Sequence, residues 1–195
     1  MKSEYLNPEI YTELYKVMQR DNVNALRVSI ETGLRIDDVL SLKPDQVRGS
    51  KLKYTAKKTG KTGTAKLSTG LRKELLQRAS AEWVFPGRAK SAHRTRQTVY
   101  KDLKKACKLL GVVGQISPHS ARKTFAVELR KSAGLAEVQQ ALQHADRETT
   151  MLYAFADISA RSTDMCDSAF AEMLADIVVC KLERMFEEKG VFAQK

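Results

Sequence analysis

Acidic residues are nearly missing from one long stretch of this chain. Residues 51–108 hold 17 Lys and Arg against only Glu74, Glu82 and Asp102, a net of +14, so the rest of the 195-residue chain nets −3 beneath an overall +11. Such a region either tracks a phosphate backbone or is simply a well-solvated basic surface. Cysteine is also scarce: Cys107, Cys166 and Cys180 are odd in number and lack metal-ligand spacing, so neither a disulfide framework nor a zinc site is indicated. The N-terminal MKSEYLNPEI has no apolar h-region, and no apolar run approaches the ~18 residues of a transmembrane helix. A soluble, cytoplasmic protein with no membrane partner is expected. No cluster of carboxylates suits a two-metal site. Internal repeats and low-complexity linkers are lacking too, and the length suits one main domain with a real core.

What is present reads as mostly α with a small antiparallel β-sheet, an α+β arrangement. Asn7 and Pro8 form an N-cap and first-turn pair ahead of Ile10, Leu14 and Val17, which predicts a helix to about Arg20. A second helix is expected from about Asn22 to Glu31, ending at Gly33, and Asp37 is expected to cap a short third, DDVLSL. QVRGS, KLKYTAKK and TGTAKLS read as strand-like pieces separated by Gly49-Ser50 and Thr59-Gly60-Lys61. From Thr69 the pattern is helical again: LRKELLQRA, VYKDLKKACKLL, PHSARKTFAVELRKSA, LAEVQQALQHA and RETTMLYAFA. A last long helix, about Asp167 to Glu188, carries an apolar stripe from Phe170 to Phe186.

Several residues could carry chemistry. In SPHSARKTFAVEL, Ser117 caps a helix, Pro118 takes its first position, and His119 and Arg122 fall three apart on one face of the opening turns, where anions bind readily. Arg122 continues the stripe through Phe125, Ala126 and Leu129, so it should face partly inward and needs either a structural carboxylate or a bound phosphate. Taken singly, His144 fits a helix-terminal histidine, Tyr153 a half-buried packing residue and Arg35 a solvated loop arginine.

Taken in order, however, these residues form a pattern. TGLR with Arg35 and Asp38 three residues on, HxxR with His119 and Arg122, then Leu142 to His144 and Tyr153 nine residues after that histidine resemble the ordered signature of the tyrosine recombinase (phage integrase) family, over residues 32 to 153. The family also has a lysine on a β-hairpin between the first arginine and HxxR. KTGKTGTAKLS resembles that run and favours Lys58, ten residues before Ser68, with Lys61 in the second KTG as the runner-up; either could also be a solvated turn lysine. The chain departs from the family at Lys123, where a second histidine is common, and at Gln143, where a glycine is common. Neither position carries essential chemistry in the family.

The resemblance implies site-specific cleavage and rejoining of double-stranded DNA, as in integration, excision or inversion, on a homo-oligomer, without metal or ATP. Tyr153 would be the nucleophile, Arg35 and Arg122 the clamp on the phosphate oxygens, Lys58 the general acid, His119 the aid to proton transfer and His144 a phosphate hydrogen-bond donor. Asp38 would orient the active-site arginine, and Lys57, Lys61, Arg94 and Arg96 are expected on DNA. A catalytic domain is expected over residues 1–160. Residues 161–195 would form a helical segment packing in cis or on a neighbouring protomer, and the family's N-terminal core-binding domain would be absent. The alternatives are a DNA-binding regulator that keeps the fold without cutting, and a type IB topoisomerase-like strand-passing enzyme.

Overall fold

The computed structural model describes residues 3–89 and 91–142, together with residues 150, 175 and 179. Two compact units, Met1–Phe125 and Ala126–Lys195, divide the chain. The first begins with α1 (Pro8–Val17), where the Asn7 side chain accepts the Glu9 N–H at 3.0 Å and Pro8 opens the helix. α1 stops short of the expected Arg20: Met18 is already extended, and the Gln19 N–H donates to the Asp102 carboxylate at 2.9 Å, turning the chain into the next helix. That helix, α2 (Arg20–Thr32), ends as expected at Gly33, whose φ of 70° puts it in the left-handed region that a Cβ would disfavour.

α3 (Ile36–Leu40) begins two residues earlier than a helix capped by Asp37 would, with Arg35 at its N-cap and Asp37 inside the first turn. α4 (Pro44–Arg48) corrects a second expectation, because QVR is helical rather than strand-like. Pro44 supplies the preset φ of a first turn, and the Gln46 side chain accepts the Lys43 N–H at 2.8 Å. Two strands then form the small sheet, β1 (Leu52–Thr55) and β2 (Thr62–Ala65), antiparallel with Leu52 opposite Ala65 and Thr55 opposite Thr62. The unit continues through α5 (Thr69–Arg78) and α6 (Arg96–Leu109), then enters α7 (Pro118–Ala133). Among the described residues the class is therefore mostly helical with one small antiparallel sheet, as expected.

α2 lies at the centre of this unit, packed against α3, α5 and α6. Val23, Ala25, Leu26 and Val28 are buried on it, against Tyr11 and Leu14 of α1, Leu71 and Leu75 of α5, Leu103 of α6 and Ala121 of α7. Each fully buried leucine contributes about 1.5–3 kcal/mol through apolar area removed from water. Two asparagines are buried on the same helix, and both are satisfied: Asn22 donates to Asp102 at 2.6 Å and Asn24 to Glu74 at 3.0 Å. Glu74 also receives Arg20 and, at 3.1 Å, Arg27; the Arg20 hydrogen bond above all pulls its carboxyl down to about 2, so it stays ionised. Two of the three acids in the basic stretch thus serve to dock α5 and α6 on α2.

In the second unit Ala126 and Val127 of α7 and Val138 and Leu142 of α8 (Leu135–Leu142) are buried. Residues 150, 175 and 179 are helical, but the other residues of RETTMLYAFA, those of the expected last helix and the expected boundary at 160 lie outside the described residues. Among the described residues no helix is long and apolar enough to cross a membrane.

Candidate active site

The site is built from the start of α7. Ser117 and Ser120 cap it reciprocally: the Ser117 Oγ accepts the His119 N–H at 3.2 Å, and the Ser120 Oγ accepts the Ser117 N–H at 3.2 Å. With the first turn held, His119 and Arg122 share a face as their spacing predicts. Arg122 is 3% exposed, and its Nη1 donates to the carbonyl of Gly33 at 2.6 Å, across 89 residues of chain. Gly33 is the left-handed residue that ends α2, two positions before Arg35. One hydrogen bond to a main-chain carbonyl therefore ties the buried arginine to the loop carrying the other.

His119 reports on what gathers there. The ring is half-buried, and its pKa is pushed down to about 4, first by burial and then by the positive charges of Arg122, Lys123, Arg35 and Arg96. These cations come from three places: the N-cap of α3, the first residue of α6 and the opening turns of α7. The imidazole is neutral at neutral pH, chiefly because it is buried, and an anion placed among the cations would offset their smaller share of the shift. Arg35 is half-buried and makes no ion pair among the described residues. Arg96 is 65% exposed and stands 3.7 Å from Asp37, a loose surface contact.

Asp38 lies on α3 facing the hairpin. It is 5% exposed, and its Oδ1 accepts the main-chain N–H of Lys57 at 2.9 Å; it makes no ion pair with Arg35. The acid expected to orient an arginine is engaged with the hairpin instead. In that hairpin the Ala56 N–H donates to Lys61 at 2.9 Å and the Gly60 N–H returns to Ala56 at 2.8 Å, with Gly60 at a φ of 69°. Lys57 and Lys58 sit in the turn and Lys61 just beyond it, all exposed. A cavity of about 460 Å³ separates the turn from the helical elements, bordered by Asp38, Ser41, Leu42, Tyr54, Lys57 and Trp83 among others.

Arg94, expected on DNA, pairs through its guanidinium with Asp21 at 2.8 Å and donates to Asn22 at 3.2 Å, and the side chain is 16% exposed. A planar guanidinium among fixed acceptors is a brace between the loop before α6 and the start of α2. His144 and Tyr153 lie outside the described residues. Among the described residues no group of three or more His, Cys, Asp or Glu could hold a metal ion. Sequence reasoning noted Lys123 only as a departure from a family pattern, whereas the structure adds its charge to those acting on His119. Its place directly after Arg122 was the available signal.

The phage integrase family model matches residues 4–159 of the chain. The tyrosine recombinase XerD of Shewanella oneidensis is 31% identical over 143 residues, covering 66% of this chain and 47% of that protein. The chain spans between about a quarter and a half of the length of the curated relatives it matches. Among solved structures, a lambda integrase dimer bound to a COC′ core site superimposes with a TM-score of 0.68 at 17% identity, over 86% of this chain and 51% of that one. The catalytic domain of bacteriophage HP1 integrase does so with 0.61 at 20% identity, over 85% of this chain and 98% of that one. These two likenesses are of fold, while the family assignment rests on the model match. The chain belongs to the phage integrase family, the tyrosine recombinases, and has the fold of their catalytic domain.

Proposed function

We propose that this chain is a catalytic domain that cleaves and rejoins double-stranded DNA at specific sites through a 3′-phosphotyrosine on Tyr153. The observation that carries the reading is the Arg122 hydrogen bond to the Gly33 carbonyl, which brings the His119–Arg122 face of α7 to the loop carrying Arg35. Attack of the Tyr153 oxygen on phosphorus forms the phosphotyrosine bond and breaks the bond to the 5′-oxygen, so the phosphodiester energy is kept for rejoining. Arg35 and Arg122 hold the non-bridging oxygens as charge builds in the transition state, where one preorganised donor is commonly worth about 3–4 kcal/mol. The neutral imidazole of His119 is in the right form to accept the tyrosine proton, His144 adds a hydrogen bond to phosphate, and a lysine of the hairpin turn, Lys58 before Lys61, protonates the leaving oxygen. Lys57 and Arg96 add contacts to the backbone.

The relatives' names and titles support both the reaction and the assembly: XerD is a tyrosine recombinase, and the lambda integrase structure is a dimer on a core site. By analogy this chain acts in the cytoplasm as a homo-oligomer on DNA. The test is Tyr153→Phe on a nicked trapping substrate. The variant should bind DNA like the parent and form no covalent adduct. Adduct from Tyr153→Phe would move the nucleophile to another tyrosine, and absence of adduct from the parent would leave a DNA-binding protein that does not cut. Relaxation of supercoiled plasmid lacking specific sites would identify a topoisomerase instead.

A further inference from the structure

We infer that Asp38 is a positioning residue for proton delivery, holding the hairpin turn so that its lysine reaches the leaving oxygen; this rests on the reading above. The turn Lys57–Gly60 is exposed throughout, and Lys57 and Gly60 border the cavity, so packing holds the turn only at its base, through the buried Ala56. The hydrogen bonds within the hairpin, from Ala56 to Lys61 and from Gly60 to Ala56, shape the turn but do not place it. Among the described hydrogen bonds, the one reaching the turn from outside the hairpin is that of the Lys57 N–H to the Asp38 Oδ1.

Asp38 is suited to that task because it is nearly immobile itself. It is buried on α3, three residues after Arg35, and its own carbonyl accepts the Ser41 hydroxyl at 3.1 Å. A carboxylate accepting a main-chain N–H makes a stronger bond than a neutral acceptor would. The short α3 therefore links an arginine of the phosphate clamp at its start to the turn that carries the acid. A lysine on a four-carbon stem has many rotamers, and fixing its main chain cuts the volume its ammonium explores.

The consequence is selective. Loss of the tether should slow the step that needs the proton and little else. In the full chain, Asp38→Ala should slow cleavage of ordinary DNA about 10–100-fold, less than the roughly 10²–10⁴-fold expected for losing the acid itself. On DNA whose scissile 5′-bridging oxygen is sulfur, which leaves without a proton, it should return to within a few-fold of the parent. Asp38→Asn, which keeps an acceptor for Lys57 and loses the charge, should recover most of the rate on ordinary DNA. Amide hydrogen exchange at Lys57 should quicken in Asp38→Ala and stay slow in Asp38→Asn.

An equal loss of Asp38→Ala on both substrates, or unchanged exchange at Lys57, would overturn the inference. Lys58→Ala and Lys61→Ala run alongside separate it from its foundation. If sulfur rescues either lysine variant but not Asp38→Ala, only the tether falls. If it rescues neither lysine, the turn is not the proton source, and the acid assignment and the tether fall together. Should Asp38→Ala fail to fold, Asp38→Asn decides: a large and equal loss on both substrates would return the carboxylate to a charge-based role, whereas retained rate with slow exchange at Lys57 supports the tether.

Discussion

Two groups of arginines in the first unit have opposite surroundings. Arg20 and Arg27 meet Glu74, and Arg78 and Arg94 meet Asp21, all at or below 3.1 Å. Arg35, Arg96 and Arg122 instead act together on His119 with the same sign; Arg122 donates to a main-chain carbonyl, and Arg96 makes a loose surface pair. The first group docks helices. The second places positive charge around a half-buried imidazole. Composition alone merges the groups, since the basic stretch supplies Arg78 and Arg94 to one and Arg96 to the other.

The largest effect should come from the most buried member of the second group. Arg122→Ala should reduce covalent adduct formation by about 10²–10³-fold. It should also lower unfolding stability by about 1–3 kcal/mol, because the Gly33 carbonyl loses its donor. Trapping assays and urea titration measure the two. Adduct formation near the parental rate would move Arg122 to the structural group. Next comes Arg94→Ala, which should cost about 1–2 kcal/mol of stability while leaving the salt dependence of DNA affinity unchanged. A smaller salt slope in this variant would put Arg94 on DNA after all.

The pH response of His119 tests the buried, cation-lined surroundings of its ring. Its folded pKa of about 4 lies below the ordinary 6.5, so between those values the unfolded chain binds more protons and stability rises with pH. The contribution is complete above pH 6.5 and is lost as pH falls through 6.5 towards 4. It should amount to about 1 kcal/mol once screening of the half-buried ring is allowed for. His119→Gln should flatten that part of the stability profile, and an unaltered slope would mean that folding does not hold the ring's pKa down. The smallest stability effect belongs to Arg96→Ala, within about 0.5 kcal/mol, yet this variant should lower the slope of log affinity against log salt by about 1.

Much of the fold could be read locally. The Asn7-Pro8 start, the Gly33 stop and the Ser117-Pro118 start depend on a few adjacent residues, and each appears as expected. The misreadings arose where local signals competed. QVRGS carries a β-branched valine and a glycine turn, but Pro44 two residues earlier presets a helical turn. α1 ended early because the Gln19 N–H finds its acceptor on α6, 83 residues away. The inward face of Arg122 was legible because a helical stripe is periodic, and its buried position follows.

The sequence by itself determined most of the element types, the Asn7-Pro8 and Ser117-Pro118 starts, the ordered motif residues and the regional charge, all properties of neighbours along the chain or of residue identity. Only the tertiary structure decided which arginine is a brace and which joins the site, and that the Asp38 carboxylate faces the Lys57 N–H. It also decided that a main-chain carbonyl at Gly33 receives Arg122. Those outcomes depend on which acceptor lies within about 3 Å of a long side chain once the helices have packed. Between Arg122 and Gly33 the chain separation is 89 residues, and no local propensity carries information over that distance.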